Sequence, residues 1–361
     1  MHSAAGLVGG RLAQAMAVLS VLIAGCGDSG LVELEIIALQ FRPDNQTCVA
    51  PDLNLGATVP DLLSMSGCVD SGDITKPYNG LVPFYINSVL WSDGATKERF
   101  MGLPNSTAIA IDDEDDWVFP AGTIITKNFR LNGRLVETRH LMRHPDGEWA
   151  GYTYEWNATS TEATRVVGGK VVNIGGQEYN FPSEEDCVFC HNDSALVAIG
   201  PETAQLNREV IYPDTQMTVN QLEILDRIAL FTSPLAGTPE TLPRLVDPMK
   251  TTADLSDRAR SYLHVNCSGC HRPGGPTPAS MDFRYFTPLS IMNACDVAPT
   301  RGDLGLINPR IIAPGDAANS VVVERMSRRD QFGMPPIATS IVHSDGVALL
   351  TGWINNMHSC N

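Results

Sequence analysis

Basic side chains are scarce. The chain holds 25 Lys and Arg against 41 Asp and Glu in 361 residues, a formal net charge of −16. So acidic a balance argues against nucleic acid, which needs basic patches, and suits a basic redox partner or simply a soluble acidic protein. Apolar runs of membrane-spanning length are missing after residue 26. No internal repeat and no low-complexity tract is present. Hydrophobic residues make up 43% and charged ones 18%, which excludes a disordered tail and a membrane bundle. The length exceeds what one ordinary core needs, so two or three domains are expected. The acidic run Asp112-Asp113-Glu114-Asp115-Asp116 lacks the spaced ligands and central glycine of a calcium loop, and reads as a solvated turn.

The N-terminus is the exception to the missing apolar runs. Arg11 precedes Leu12 to Ala24, interrupted only by Gln14 and Ser20, and the run ends in Leu22-Ile23-Ala24-Gly25-Cys26. It is too short for a comfortable membrane span, and a small residue precedes the cysteine. The segment resembles a bacterial lipoprotein signal. That resemblance implies cleavage before Cys26, lipidation of Cys26 and a membrane anchor in the cell envelope, facing the periplasm or the cell surface. In such proteins an aspartate after the cysteine favours the inner membrane; Gly27 stands there and tilts the expectation to the outer one. An ordinary signal peptide with a chance cysteine is the alternative, and it also implies export.

Nine cysteines then sort themselves. Cys26 is the lipidation candidate. Cys187 with Cys190, and Cys267 with Cys270, form close pairs. Cys48, Cys68, Cys295 and Cys360 remain, and an oxidising compartment favours pairing them. Four cysteines allow three connectivities. Proximity within each half predicts Cys48–Cys68 and Cys295–Cys360.

The close pairs are Cys187-Val188-Phe189-Cys190-His191 and Cys267-Ser268-Gly269-Cys270-His271. Two thiols three residues apart on one helical turn reach the two vinyl groups of one haem. The next histidine is then held under the iron. Cys-x-x-Cys-His is thus the signature of c-type haem attachment, and two covalently bound haems are expected, with His191 and His271 as axial ligands. A thioredoxin-like pair needs no following histidine, and a shared Cys₄ zinc site has its pairs closer together. Met334, in Gly333-Met334-Pro335-Pro336 on a loop between the two final expected helices, resembles the distal ligand of class I c-type cytochromes, which implies that role at the second iron; a soft thioether there would favour ferrous iron and raise the potential. For the first iron, Met217, Met249, His264, His140 and His144 stay open. An empty sixth position there would admit peroxide.

Five segments are expected: a signal peptide over 1–25, a tether and disulfide-strapped loop region over 26–78, a β-rich domain over 79–182, a helical first-haem segment over 183–250, and a second-haem domain over 251–361. Runs rich in β-branched and aromatic residues separated by Asn132-Gly133 and Pro145-Asp146-Gly147 predict the β domain, sandwich-like. Capping signals at Ser183, Thr218 and Ser256 predict helices beyond it. The expected class is therefore α+β, an all-β front followed by an all-α cytochrome region.

Residues 251–361 resemble a class I cytochrome c domain, with a helix running into the attachment motif, a methionine loop and a closing helix carrying Trp353. From Pro83 and Trp91-Ser92-Asp93-Gly94 through Tyr262-Leu263-His264-Val265-Asn266-Cys267, the chain resembles a family of bacterial two-haem c-type cytochromes with a β-rich front half. That resemblance implies two haems and an envelope location, and no known substrate. Electron transfer between redox partner proteins is the first expectation. A two-haem peroxidase with an open first haem is the alternative.

Overall fold

Between Thr96 and Trp156, turn chemistry cuts the chain into long strands. Asn132 and Gly133 sit at φ 52° and 79°, the left-handed pair that a two-residue hairpin demands. The computed structural model describes residues 41–112, 116–211 and 218–360. In chain order the strands are β1 (Val82–Pro83), β2 (Thr96–Gly102), β3 (Ala110–Ile111), β4 (Trp117–Val118), β5 (Ile124–Leu131), β6 (Arg134–Arg143), β7 (Trp149–Trp156), β8 (Ala163–Arg165), β9 (Lys170–Ile174), β10 (Gln177–Phe181), β11 (Glu209–Ile211) and β12 (Thr218–Asn220). The helices are α1 (Glu184–Cys190), α2 (Thr203–Leu206), α3 (Gln221–Arg227), α4 (Leu255–Cys267), α5 (Val321–Met326) and α6 (Ser344–Asn355). The main sheet is antiparallel with order β1-β2-β5-β6-β7-β8, and the other strands form two-stranded ribbons.

This corrects the expected class. The chain is 20% helix and 22% strand, antiparallel sheet dominates, and no all-α cytochrome region forms at the C-terminal end. Between Cys270 and Ser344 the described α-helix is the six-residue α5. Pro273, Pro276, Pro278, Pro288, Pro299, Pro309 and Pro314 interrupt this stretch, and each removes a backbone donor and fixes φ. Single backbone bonds tie it instead, such as Ile312 N to Ala294 O at 3.0 Å. Helical spacing over a few residues at Val322, Val323 and Met326 was too short a pattern to carry a whole region. Nor is the front half a sandwich. One sheet face is covered by the loop segment strapped by Cys48–Cys68, with Val59 and Leu63 packing on Ile124, Met142 and Tyr154. The other face packs Ile125 and Leu141 against Phe84, Leu206 and Leu222.

Two caps also move. Asn220 caps α3 and Asp254 caps α4, where Thr218 and Ser256 were expected. The Asp254 carboxylate accepts from Ser256 N at 2.8 Å and Asp257 N at 3.1 Å. A carboxylate at the N-terminus also meets the helix dipole favourably. Cys48–Cys68 and Cys295–Cys360 are disulfide-bonded. The loops they close should add roughly 3–4 kcal/mol each.

The pleat decides the fate of His140. It pairs across the sheet with Tyr152, on the face opposite Leu141 and Gly151. Its Nδ1 meets Thr126 Oγ1 at 2.9 Å, and its buried Nε2 has no partner among the described residues. Burial pulls its pKa down to about 4. The folded state therefore holds this ring neutral, while the unfolded chain protonates near pH 6.5. Its contribution is complete above pH 6.5 and is lost as pH falls to about 4. At roughly 1.4 kcal/mol per pH unit, about 3 kcal/mol disappears across that window. His140→Leu is expected to flatten the acid limb of stability against pH, as read by denaturant midpoints. An acid limb unchanged by the substitution would refute this account.

Candidate functional site

The first attachment motif is the end of α1. Ser183 and Asp186 form a reciprocal capping box, with Asp186 N to Ser183 Oγ at 3.0 Å and Ser183 N to Asp186 Oδ2 at 2.9 Å. Arg165 on β8 grips Glu184 through two bonds of 2.6 and 3.0 Å, which fixes the helix against the sheet. The fit is close. A Cβ on Gly151 of β7 would lie 2.5 Å from the Cys187 sulfur. The second motif is the end of α4, whose buried face is Ala259, Ser261, Tyr262 and Leu263. Both motifs close with the same backbone bond: His191 N to Cys187 O and His271 N to Cys267 O, each 2.9 Å.

The imidazoles are oriented differently. His191 Nδ1 donates to the Val197 carbonyl, so its Nε2 carries a lone pair. Reaching that carbonyl bends the chain sharply. Leu196 and Val197 both adopt left-handed φ, at 51° and 57°, which is costly for a β-branched residue. Burial, reinforced by Lys127 and Arg139, pulls the His191 pKa down to about 3. The His271 ring lies edge-on to Phe283 with centroids 5.7 Å apart, and its Nδ1 faces Thr277 Oγ1 at 3.5 Å. Its pKa is also lowered, chiefly by burial.

The two motifs meet back to back. Asn192 Nδ2 donates to Gly269 O at 3.0 Å and to Cys190 O at 3.1 Å. Cys270 Sγ approaches Phe189 O at 3.6 Å, and Arg272 Nη1 donates to Ser194 O at 3.1 Å. The Cys190 and Cys270 thiols are hydrogen-bonded to each other, which raises the Cys190 pKa and lowers that of Cys270. Burial pushes Cys267 up to about 12 and also raises Cys187. All four are free cysteines in a chain whose other described cysteines are bridged. Among the described residues no three His, Cys, Asp or Glu side chains converge as a metal cage.

Both motifs open on one cavity of about 840 Å³, whose wall also includes Met334. That size falls within the roughly 300–1,000 Å³ range of cofactor sites. Its wall carries four basic residues on the sheet, Lys97, Arg99, Lys127 and Arg139, and four beyond it, Arg272, Arg301, Arg325 and Arg329. Only Asp116, Asp186 and Glu202 oppose them. The cavity thus inverts the charge balance of the whole chain. Asp116 lies beside Glu202, and burial followed by that neighbour raises its pKa to about 6.

Met334 is held by its backbone, with its N–H donating to Arg325 O at 2.9 Å and its carbonyl accepting from Arg329 Nη1 at 3.1 Å. Residues from the front half hold the far side of its loop. Ser92 to Ala95 forms a tight turn with Asp93 and Gly94 at φ 51° and 78°. The buried Asp93 carboxylate accepts from Thr339 Oγ1, from Ser340 N at 2.8 Å and from Ile341 N at 3.1 Å. Trp91 donates from Nε1 to Ile341 O at 2.9 Å and stacks on His343 at 4.1 Å. Trp91 N bonds Asn266 Oδ1 at 2.9 Å, so one turn binds both the methionine loop and α4.

The residues expected as possible ligands of a first iron fare unequally. His264 Nδ1 accepts from Tyr285 N at 3.1 Å, so Nε2 carries the proton and donates to Glu202 at 2.9 Å. His144 donates to Pro51 O at 2.8 Å and accepts from the Tyr152 hydroxyl at 2.9 Å. His140 points to the opposite sheet face, and Met249 is exposed and away from the cavity. Met217 lies outside the described residues, as do Cys26 with its apolar run and Asp113, Glu114 and Asp115. Sequence reasoning missed the cationic wall and the Asp93 strap. The period-two charges Lys97 and Arg99 were the available signal for the wall.

This geometry meets the demands of a thioether-linked porphyrin: two free thiols and an imidazole on one turn, facing space, twice. The porphyrin fills four iron positions, so the protein owes at most two per metal. No family model, curated protein or solved structure matches this chain.

Proposed function

We propose that this protein is a two-haem c-type cytochrome that passes electrons between redox partners in the bacterial cell envelope. One observation carries the reading. Both Cys-x-x-Cys-His turns, closed by the same bond, line one cavity with cysteines that are free. Cys187 and Cys190 would hold one haem and Cys267 and Cys270 the other, with His191 and His271 as axial ligands. Met334 would take the remaining position of the second iron. The haems supply reversible one-electron chemistry when bound; the chain supplies burial, ligands and charge. Cys26 would anchor the mature protein by lipid, and its acidic surface suits a basic partner. Among the described residues no helix is long and apolar enough to cross a membrane.

The test is the mass of exported protein. Two haem masses above the lipidated polypeptide are expected; no added haem would end the proposal. A peroxidase-like role is the second reading. It is favoured by the engagement of three of the expected ligands elsewhere: His264 with Glu202, His144 with Tyr152 and His140 with Thr126. High-spin bands that shift on adding peroxide would select it over simple electron transfer.

A further inference from the structure

Arg99, Lys127, Arg139 and Thr153 are direct cross-strand neighbours on β2, β5, β6 and β7. Three cations thus stand side by side in one row of the sheet. Lys97 sits two residues from Arg99 on the same face. Like charges directly opposite destabilise a sheet, and these cations are half-buried, so partners matter to them. Here the partners are few. Arg139 binds Glu137 bidentately at 2.6 and 2.9 Å, and Tyr179 OH takes the same carboxylate at 2.7 Å. Arg99 donates to the Lys97 carbonyl at 3.3 Å and Lys97 to the Leu90 carbonyl at 2.5 Å, and Phe129 lies under Lys97 and Arg139 at 5.6 and 4.4 Å, which leaves no carboxylate on Arg99 or Lys97 among the described residues. The Lys127 side chain makes no hydrogen bond or ion pair among the described residues. Burial and the neighbouring cations pull Lys127 down to about 7, and Lys97 well below its ordinary value.

The row's position gives it a purpose. Gly151, beneath Cys187, precedes Thr153 by two residues on β7. The row therefore starts roughly 7 Å along the strand from the Cys187 anchor and crosses three strand spacings, roughly 14 Å, to Arg99. The carboxylates of a c-type haem lie at the ring edge away from its thioether-linked edge. We propose that Arg99, Lys127 and Arg139, with Lys97 beside them, are the seat for the propionate carboxylates of the haem anchored at Cys187 and Cys190. This rests on the haem reading and adds the residues that hold its anionic edge. Carboxylates in that seat turn a repulsive row into alternating charge.

Lys127→Gln and Arg99→Gln, each in the full exported protein, test the seat by redox titration followed optically between pH 5 and 8. Haem mass is checked first: absence of both haems in the unaltered protein would defeat the haem reading on which this assignment rests, whereas variants that load both haems test the seat itself. In the unaltered protein one haem wave is expected to stay flat with pH, its propionates being held ionised. Each variant should introduce a pH-dependent slope. Each should also lower that potential by the equivalent of about a tenfold change in equilibrium, ~59 mV for one electron. Fully loaded variants with unchanged potential and slope would overturn the assignment. So would calorimetric binding of succinate or inorganic phosphate to the loaded protein that vanishes in Lys127→Gln, because the row would then serve a soluble anion.

Discussion

Asp93→Ala is expected to loosen the methionine loop and to cost the protein roughly 3 kcal/mol or more. The carboxylate is 4% exposed and accepts three bonds from Thr339, Ser340 and Ile341. Hydrogen bonds to a charged acceptor contribute roughly 1.5–3 kcal/mol each, and truncation removes all three at once. Alanine also tolerates φ 51° less readily than aspartate does. If the proposed second haem is bound, the effect should reach its iron through Met334, which lies on the same loop. The low-spin sulfur-to-iron absorption is expected to weaken at one haem and its potential to fall, in the direction of Met334→Ala. Asp93→Asn, which keeps the turn preference and one acceptor oxygen, should recover part of the band. A destabilised Asp93→Ala protein with its sulfur band intact would show that the strap supports the fold without positioning Met334.

Gly151→Val carries the other large effect. In an ordinary strand, replacing glycine by valine adds stability, because glycine is entropically costly and packs nothing. Here the new Cβ would fall 2.5 Å from Cys187 Sγ and 2.7 Å from Cys187 Cβ. Overpacking of that kind costs roughly 1–3 kcal/mol. Helix α1 must lift from β7, and the Cys187 thiol moves with it. The exported protein is expected to gain one haem mass instead of two, the pair at Cys267 and Cys270 being remote from the change. Gly151→Ala should fall between. Two full haem masses in Gly151→Val would show that α1 docks without this contact.

What the sequence disclosed was local chemistry. Cys-x-x-Cys-His is a five-residue statement, and the turn that places Cys187, Cys190 and His191 needs no distant information. Asn132-Gly133 announced its hairpin for the same reason. Tertiary choices stayed hidden. Lys97-Glu98-Arg99 reads as a solvated strand, yet the sheet turns its two cations inward, because Phe84 and Ile86 cover the same side. His140 and Leu141 are adjacent in sequence, and only the pairing register tells which one faces the cavity. Short apolar repeats such as Val322, Val323 and Met326 suggest helix, but the prolines spaced from Pro273 to Pro314 keep most of the C-terminal region in loops. Trp91 and Asp93 act on residues some 250 positions away, with Trp91 bonding Ile341 across a separation of 250. No local pattern encodes that.

The bridge from Asn192 to Gly269 and Cys190 has a consequence for how charge is stored. Two centres anchored on touching turns would not fill independently. The first electron raises the electrostatic work of adding the second, so the couple would titrate as a split pair even if the isolated sites were identical. A donor offering little driving force would find a one-electron relay. A strongly reducing one would find a reservoir for two.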